Sequence, residues 1–149
     1  LYEGGVRVPA LLEWPEKITK NDTITCPAGT IDYLPTILSL LDIQLPDQRP
    51  IDGINLIPII TKKGKSRGKA IGFQSNSVAS LITDRYKIIL KKKNNTVELY
   101  DILNDPFEKN DITLSMLDKA SELKAELNEW IASCSESDQG KDYPKITGQ

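Results

Sequence analysis

The sequence predicts an α/β chain whose second half is α+β, with a four-stranded antiparallel sheet packed by a C-terminal helix. Short apolar and β-branched runs separated by tight turns lie between residues 70 and 101, which is typical of consecutive antiparallel strands. Apolar residues then recur every three or four positions after residue 115, which indicates a helix with one buried face. The first 60 residues contain instead one long apolar run and one helical repeat.

A basic stretch separates the two halves. Residues 61–69 contain four lysines, one arginine and two glycines, a composition typical of an exposed loop or linker. We therefore expect one region over residues 1–64 and a second over residues 65–149. The whole chain is long enough to bury a sizeable core.

In the first region we expect a strand, a helix and a turn. The apolar run from Val6 to Pro15 predicts a strand that is buried on both faces. Asp32 can cap a helix whose first turn accepts Pro35. One face of that helix is apolar, with Leu34, Ile37, Leu38 and Leu41. Asp52-Gly53 then marks a turn before a further apolar segment.

In the second region we expect strands near residues 70–74, 78–83, 86–90 and 97–100, joined by short turns at Asp84-Arg85 and Asn94-Asn95. Ser115 and Asp118 resemble a capping box at the start of the helix. The stripe predicted to pack on the sheet consists of Met116, Ala120, Leu123, Leu127 and Trp130. We expect the polar tail from Ser133 onward to be irregular.

Composition argues against several classes of function. The net charge is −2, whereas a nucleic-acid binder would be strongly basic. No apolar run approaches the roughly 18 residues that a membrane span needs. Histidine is absent, which removes the usual general base and the Ser-His and Cys-His pairs. Cys26 and Cys134 fit no metal-ligand spacing, and their pairing stays open.

Three groups of motifs then follow one another along the chain. The first is Glu3-Gly4-Gly5 with Arg7, Pro9 and Trp14-Pro15; the second is Thr30, Asp32, Pro35-Thr36 and Asp52-Gly53; the third is Arg85-Tyr86-Lys87, Leu99-Tyr100-Asp101 and Asp105-Pro106-Phe107-Glu108. In order and spacing they resemble the C-terminal third of the sulfatases, which have the alkaline-phosphatase-like fold.

We interpret the motif residues as scaffolding. Gly4-Gly5 would let the chain turn sharply into the first strand. Asp52-Gly53 and Asp105-Pro106 have the chemistry of turns. Glu3 and Arg7 are assigned to the same structural motif.

The resemblance implies a chemistry whose reacting groups this stretch lacks. The family hydrolyses sulfate esters with a formylglycine made from Cys or Ser in C/S-x-P-x-R, beside a calcium ion held by Asp and Asn. Cys26 is followed directly by Pro27, and Thr30 stands where Arg is required. Cys134 has no such context either. We thus expect no catalytic residue, metal ligand or cofactor in residues 1–149, and formylglycine and calcium in a full-length enzyme whose core precedes Leu1.

Some polar residues remain candidates for contact with substrate. Gln74, Ser75 and Asn76 form a polar loop that in the family can border the substrate cleft. The lysines of residues 62–69 and 91–93 could steer a sulfated polysaccharide, although such runs are also typical of solvated loops. The carboxylates of Asp101, Asp105, Glu108 and Asp111 are expected to be solvated turn residues rather than acid–base pairs.

The expected partners follow from the same resemblance. They are the rest of the sulfatase chain and a sulfated carbohydrate or small sulfate ester, with no nucleic acid and no membrane. The enzyme would be periplasmic or secreted in a bacterium, and lysosomal or secreted in a eukaryote, where Asn21 and Asn94 begin glycosylation sequons. Alternatives are a non-catalytic module that binds anionic glycans, or part of a related phosphodiesterase.

One further expectation concerns the surface of the first region. Its strand and helix would be covered in the family by neighbours outside this stretch. Six apolar side chains should therefore be exposed: Leu11, Leu12, Leu34, Ile37, Ile59 and Ile60. Exposed apolar patches favour association, so the stretch alone should self-associate or be poorly soluble.

Overall fold

A computed structural model describes residues 1–45, 50–61 and 63–142. The elements in chain order are α1 Glu3–Val6, α2 Tyr33–Leu41, α3 Ile57–Ile60, β1 Ile71–Gln74, β2 Val78–Ile82, β3 Tyr86–Lys91, β4 Thr96–Asp101 and α4 Leu117–Asp138. Two short 3₁₀ turns, Thr30–Asp32 and Thr113–Ser115, precede α2 and α4.

The four strands form the predicted antiparallel sheet in the order β1-β2-β3-β4. The register pairs Leu81 with Ile88 and Ile88 with Leu99, so apolar residues lie side by side across the central strands. The β3–β4 connection is longer than the predicted two residues, because β3 ends at Lys91 and β4 begins at Thr96. Asn95 in this turn has a φ of 54°, the left-handed conformation that asparagine tolerates.

Helix α4 covers one face of the sheet, as predicted. The buried side chains of this core are Ala79, Leu81, Ile88, Leu90 and Leu99 from the strands, and Ala120, Leu123 and Leu127 from α4. Met116 and Trp130 from the predicted stripe pack at its margin. Trp130 lies directly over Gly72, where an added Cβ would come within 2.2 Å of the indole ring. Gly72 therefore makes room for the helix.

The ends of α4 differ from the prediction. The helix begins at Leu117 without a side-chain cap, because the Ser115 hydroxyl donates to the Ile112 carbonyl at 2.9 Å instead. The predicted capping box is therefore wrong. The helix also continues past Ser133 to Asp138, since its last polar side chains can stay in solvent while the backbone bonds persist.

The opposite face of the sheet is also enclosed. Its buried side chains are Ile71, Ser80, Ile82, Lys87, Ile89 and Tyr100. Tyr2 packs against Tyr100 with 6.4 Å between the ring centroids, so the start of the chain lies over this face. An antiparallel sheet often leaves one face in water, but this one is buried on both sides.

The predicted strand from Val6 to Pro15 does not form. Val6 ends α1, and the following residues pair with no strand among those described. Leu11 is 103% exposed. A strand needs a neighbour to satisfy its backbone groups, and none of the described strands pairs with this segment. The explanation offered for Gly4-Gly5 is also wrong here: both are helical, and neither has a positive φ.

Helix α2 forms as predicted, and part of the expected apolar surface is exposed. Leu12, Leu34 and Ile37 lie open on the surface. Ile60 is half-buried and Ile59 is only 8% exposed, because the single turn of α3 carries Ile59 into the interior. Ile59 is therefore a correction to the predicted patch. Self-association stays a prediction.

The basic stretch is not a free linker. Lys63, Lys65 and Lys69 are exposed, but Arg67 is buried. Lys62 lies outside the described residues. The Lys69 ammonium donates to the Ile51 carbonyl at 2.6 Å, and the Arg67 guanidinium donates to the Asp32 carboxylate. The stretch is therefore attached to the first region at two points. The division between residues 64 and 65 stays a prediction.

Two glycines make a matched test of this packing. A Cβ at Gly53 would lie 2.0 Å from the Ile31 carbonyl oxygen, whereas one at Gly5 would meet no atom within 4 Å. We expect Gly53→Ala to lower the free energy of unfolding by about 1–3 kcal/mol or more, as overpacking does. Gly5→Ala should be neutral or stabilising by up to about 1 kcal/mol. Urea unfolding midpoints measure both, and equal midpoints would contradict the assigned contact.

Candidate functional site

A buried lysine lies at the centre of the enclosed sheet face. Lys87 is 0% exposed, and its ammonium nitrogen lies 2.8 Å from Glu3 Oε1 and 2.8 Å from Glu108 Oε1. Ile88 and Leu90 point to α4, so the alternation of β3 turns Lys87 to the other side. We call Glu3, Lys87 and Glu108 the Lys87 cluster.

The loop after β4 aims Glu108 at this lysine. Glu108 has a φ of 53°, and its N–H donates to the Asp105 carbonyl at 3.1 Å. Its second oxygen, Oε2, accepts the backbone N–H of Glu3 at 2.6 Å. The Glu-Gly-Gly, Arg-Tyr-Lys and Asp-Pro-x-Glu motifs, distant in sequence, therefore meet at one ammonium.

Burial explains what the cluster can do. Removing one partner from a buried ion pair costs about 3–5 kcal/mol because it leaves an uncompensated charge. Both carboxylates here are engaged, and only 13% of Glu3 and 4% of Glu108 side-chain surface is exposed. The cluster therefore holds elements together. The expectation that Glu108 is a solvated turn residue is wrong.

A tyrosine extends this contact along the sheet. The Tyr2 hydroxyl donates to Glu98 Oε2 at 2.5 Å, and Lys91 forms an ion pair with the other Glu98 oxygen. Burial would raise the pKa of Glu98, but hydrogen bonds from Lys91, Tyr2 and Tyr100 outweigh it and lower the pKa. Tyr2 and Glu3 thus bind adjacent strands of the same face.

A second buried pair joins the first region to the basic stretch. The Arg67 guanidinium donates to both Asp32 oxygens, at 2.6 and 2.8 Å. The backbone N–H groups of Gly29 and Ile54 donate to the same carboxylate, each at 2.8 Å. The sequence predicted that the Asp32 side chain caps α2, and this prediction is wrong, because that side chain makes no capping hydrogen bond. Asp32 joins the start of α2, the Asp52-Gly53 turn and residue 67.

The remaining residues of the predicted structural motif lie outside both pairs. Asp52 is exposed, with the Lys69 ammonium 3.8 Å from its carboxylate. Arg7 is exposed on the segment after α1. Gly4 and Gly5 face open space. Among the described residues, close contacts are found for Glu3 and Gly53 of this set.

The polar loop proposed to contact substrate lies at one end of the sheet. Gln74, Ser75 and Asn76 are exposed. The Lys92 ammonium donates to the Ser75 carbonyl at 2.7 Å and to Gln74 Oε1 at 3.2 Å. The β1–β2 and β3–β4 turns therefore lie side by side. We call residues 74–77 and 91–95 the basic rim.

Sequence reasoning treated these two turns separately and missed a third contributor. Lys124 of α4 donates to the Asn95 carbonyl at 3.2 Å, which places a further ammonium beside the rim. No spacing in the sequence indicates this contact, because it depends on how α4 crosses the sheet. The rim thus presents hydroxyl, amide and ammonium groups, which suit an anionic, hydroxyl-rich ligand.

The motifs, the sheet and the helix together match a known family. The model of the N-sulphoglucosamine sulphohydrolase C-terminal family covers residues 1–137. The chain belongs to this sulfatase family. The recognition of a sulfatase rather than a related phosphodiesterase is confirmed.

Individual sulfatases match shorter parts of the chain. Steryl-sulfatase of Homo sapiens is 41% identical over 66 residues, which are 44% of this chain and 11% of that protein. Arylsulfatase G of Rattus norvegicus is 34% identical over 94 residues, covering 58% of this chain and 18% of that protein. The matched stretch is thus a small part of each relative.

Solved structures show the same fold. Ps i-CgsB superposes with a TM-score of 0.67 at 21% identity, covering 78% of this chain and 27% of that chain. BT1596, a 2-O GAG sulfatase, superposes with a TM-score of 0.54 at 22% identity, covering 79% of this chain and 27% of that chain. The predicted C-terminal portion of the sulfatase fold is confirmed.

Cys26 does not fit the formylglycine precursor of a sulfatase, because Pro27 follows it directly and Thr30 stands where Arg is required. Its thiol lies 3.4 Å from Asp84 Oδ1. Burial, with this hydrogen bond and the Asp84 charge, raises the pKa of Cys26 to about 11, so little thiolate forms at neutral pH. Cys26 and Cys134 are free thiols, and burial likewise raises the pKa of Cys134.

The acidic residues of the described ranges do not fit a sulfatase calcium site. Across residues 1–45, 50–61 and 63–142, no group of three or more His, Cys, Asp or Glu side chains could hold a metal ion. Asp101 is engaged by Arg85 at 2.8 Å, and Asp111 accepts the Leu99 N–H at 3.1 Å.

In the described residues, no helix is long and apolar enough to cross a membrane.

The Asp32–Arg67 pair should control stability at acid pH. Burial would raise the pKa of Asp32, but hydrogen bonds from Arg67, Gly29 and Ile54 lower it below the ordinary 3.8. The stabilisation from the ionised Asp32 is therefore complete above the ordinary pKa of 3.8 and is lost as the pH falls through the lower folded-state pKa. At pH 7, Asp32→Asn should lower the free energy of unfolding by about 3–5 kcal/mol.

Asp52→Asn is the matched control, because Asp52 is exposed and its pair with Lys69 is long. It should change the free energy of unfolding by less than about 0.5 kcal/mol. Urea unfolding at pH 7 and pH 3 should show the difference between wild type and Asp32→Asn narrowing at the lower pH. A difference that does not depend on pH would contradict the assigned charge pair.

Proposed function

We propose that this chain is the C-terminal part of an enzyme that hydrolyses sulfate esters, and that it supports the fold rather than supplying the reacting groups. The observation that carries the proposal is the family match over residues 1–137. Its most informative motif residues are engaged in buried ion pairs. They are therefore committed to holding structure.

The partner of this chain in the proposal is the rest of the sulfatase. The matched stretch amounts to 11% of human steryl-sulfatase and 18% of rat arylsulfatase G. Formylglycine and calcium belong, in this proposal, to that larger part. The exposed Leu34 and Ile37 of α2 offer an apolar surface for it. Such an enzyme would act outside the cytosol, in the periplasm, in lysosomes or after secretion.

We further propose a sulfated sugar or polysaccharide as substrate. Support comes from the basic rim, where the Lys92 ammonium binds Gln74 Oε1 and the Ser75 carbonyl, and where Lys93, Gln74 and Asn76 are exposed. BT1596 is a 2-O GAG sulfatase, which makes an anionic polysaccharide a reasonable ligand for a similar fold. Ammonium groups attract sulfate over the distance of encounter, and amides hydrogen-bond sugar hydroxyls.

The activity test separates the chain from the enzyme. Residues 1–149 alone should release no sulfate from aryl or sugar sulfates, with or without calcium. Enzymatic accelerations need about 8–23 kcal/mol of transition-state stabilisation, and no described residue here offers a nucleophile with a metal. A longer chain that carries C/S-x-P-x-R, converted to formylglycine, should be active and should lose activity to a calcium chelator.

Sulfate release that remains with residues 1–149 through further purification would overturn the assignment of the reacting groups. A longer chain that carries the motif, is converted and folds, yet hydrolyses no sulfate ester, would overturn the proposed reaction. The two outcomes are independent, so one preparation of each chain decides between them.

A second candidate function is a module that binds anionic glycans without catalysis, which the basic rim favours. The double variant Lys92→Ser/Lys93→Ser should weaken binding to a sulfated polysaccharide by up to about fivefold per lysine, since an exposed ion pair contributes up to about 1 kcal/mol. Lys109→Ser is the charge control, because this exposed lysine lies on the loop after β4.

Titration calorimetry against heparin and its desulfated form measures this effect at two salt concentrations. Salt should weaken binding of the wild type more than binding of the double variant. Equal affinities of the double variant and Lys109→Ser would show that the rim does not recognise the glycan.

A further inference from the structure

We infer that Lys87 is a positioning residue, which fastens α1 to the sheet and so fixes where α1 meets the rest of the protein. The inference begins with how little else holds α1. None of its residues is buried. The polar contacts described for residues 2–6 with the sheet and its loops come from Tyr2 and Glu3. The partners of Glu3 are Lys87 on β3 and Glu108 on the loop after β4.

The geometry makes Lys87 the centre of this attachment. Its ammonium lies 2.8 Å from both carboxylates, which would repel each other without it. Glu108 Oε2 holds the Glu3 N–H at 2.6 Å only while that carboxylate stays beside Glu3. One side chain of β3 therefore maintains both the side-chain and the backbone contact of α1.

The opposite side of α1 indicates why its position matters. A Cβ at Gly4 or Gly5 would meet no atom within 4 Å, and neither glycine has a positive φ. Glycine is unfavourable within a helix, and no contact of the described chain calls for it there. Adjacent glycines let another backbone approach closely. We place α1 between the sheet and a neighbouring part of the enzyme, which rests on the proposed function.

The structural test measures hydrogen exchange at the Glu3 amide in the full-length protein. Lys87→Met keeps the apolar stem but removes the charge. It should accelerate exchange at Glu3 at least about tenfold, since one partner of a buried pair is lost, while amides of β2 and α4 remain protected. Lys119→Met, at a half-buried lysine paired with Glu122, is the matched control and should leave Glu3 protected.

Two further variants keep the test decisive if Lys87→Met fails to fold. Glu3→Gln leaves the Lys87–Glu108 pair intact and should also accelerate exchange at Glu3, by a smaller factor. Lys87→Arg retains a charge that can bind two carboxylates and should restore part of the protection. Unchanged exchange at Glu3 in Glu3→Gln and in any folded Lys87→Met would overturn the inference.

The kinetic test uses sulfatase activity of the same full-length variants. The inference takes the reacting part of the enzyme as the neighbour of α1, so Lys87→Met should lower kcat by at least about tenfold, because small displacements at a reacting centre are costly. KM should change less than twofold, and Lys87→Arg should recover part of kcat. A rise in KM at constant kcat would contradict positioning. Inactivity of the wild type would remove the proposed reaction but leave the Glu3 exchange result standing.

Discussion

The buried ammonium of Lys87 is the constraint around which this chain is arranged. An isolated charge inside a protein is very costly, so a lysine at the centre of an enclosed sheet face requires counter-charges that come to it. Glu3 arrives from the start of the chain and Glu108 from the loop after β4. The backbone segment that carries each carboxylate must therefore lie close to the lysine. The path of residues 2–6 over the sheet and the left-handed turn at Glu108 both follow from this single requirement.

The Asp32–Arg67 pair, which joins the first region to the basic stretch, is likewise a buried charge with its partners brought to it. Its carboxylate accepts two guanidinium and two backbone N–H donors, so little of its hydrogen-bonding capacity is left over. The turn at Gly53 can approach only because no Cβ stands between it and the Ile31 carbonyl. A family signature assembled from Glu3, Asp32, Gly53, Lys87 and Glu108 is thus largely a description of internal electrostatics and close packing.

The sequence was sufficient where local periodicity determines structure. The meander and the α4 stripe were predicted correctly, because alternation and helical spacing report directly which side chains meet the core. It was insufficient where the partner is remote. The sequence around Arg67 does not indicate that Asp32 is its partner, and the sequence around Glu108 does not indicate that Lys87 is its partner. The apolar run from Val6 to Pro15 looked like a strand, but pairing depends on a neighbour that the pattern itself cannot supply.

The candidate site divides along the same line. Gln74, Ser75 and Asn76 were recognised as a polar loop from their composition alone. Their association with the lysines of the β3–β4 turn depends on strand register, and that of Lys124 on the angle at which α4 crosses. These are tertiary properties. The family resemblance predicts the fold that links them, but which side chains meet there depends on the tertiary structure.

Enclosure of the sheet on both faces has a consequence for how β3 can vary. In a sheet with one wet face, every second residue tolerates polar replacement. Here Ile88 and Leu90 meet α4, while Lys87 and Ile89 are buried on the other side. Strand β3 therefore has no tolerant face, and sequence drift along it is confined to its two ends.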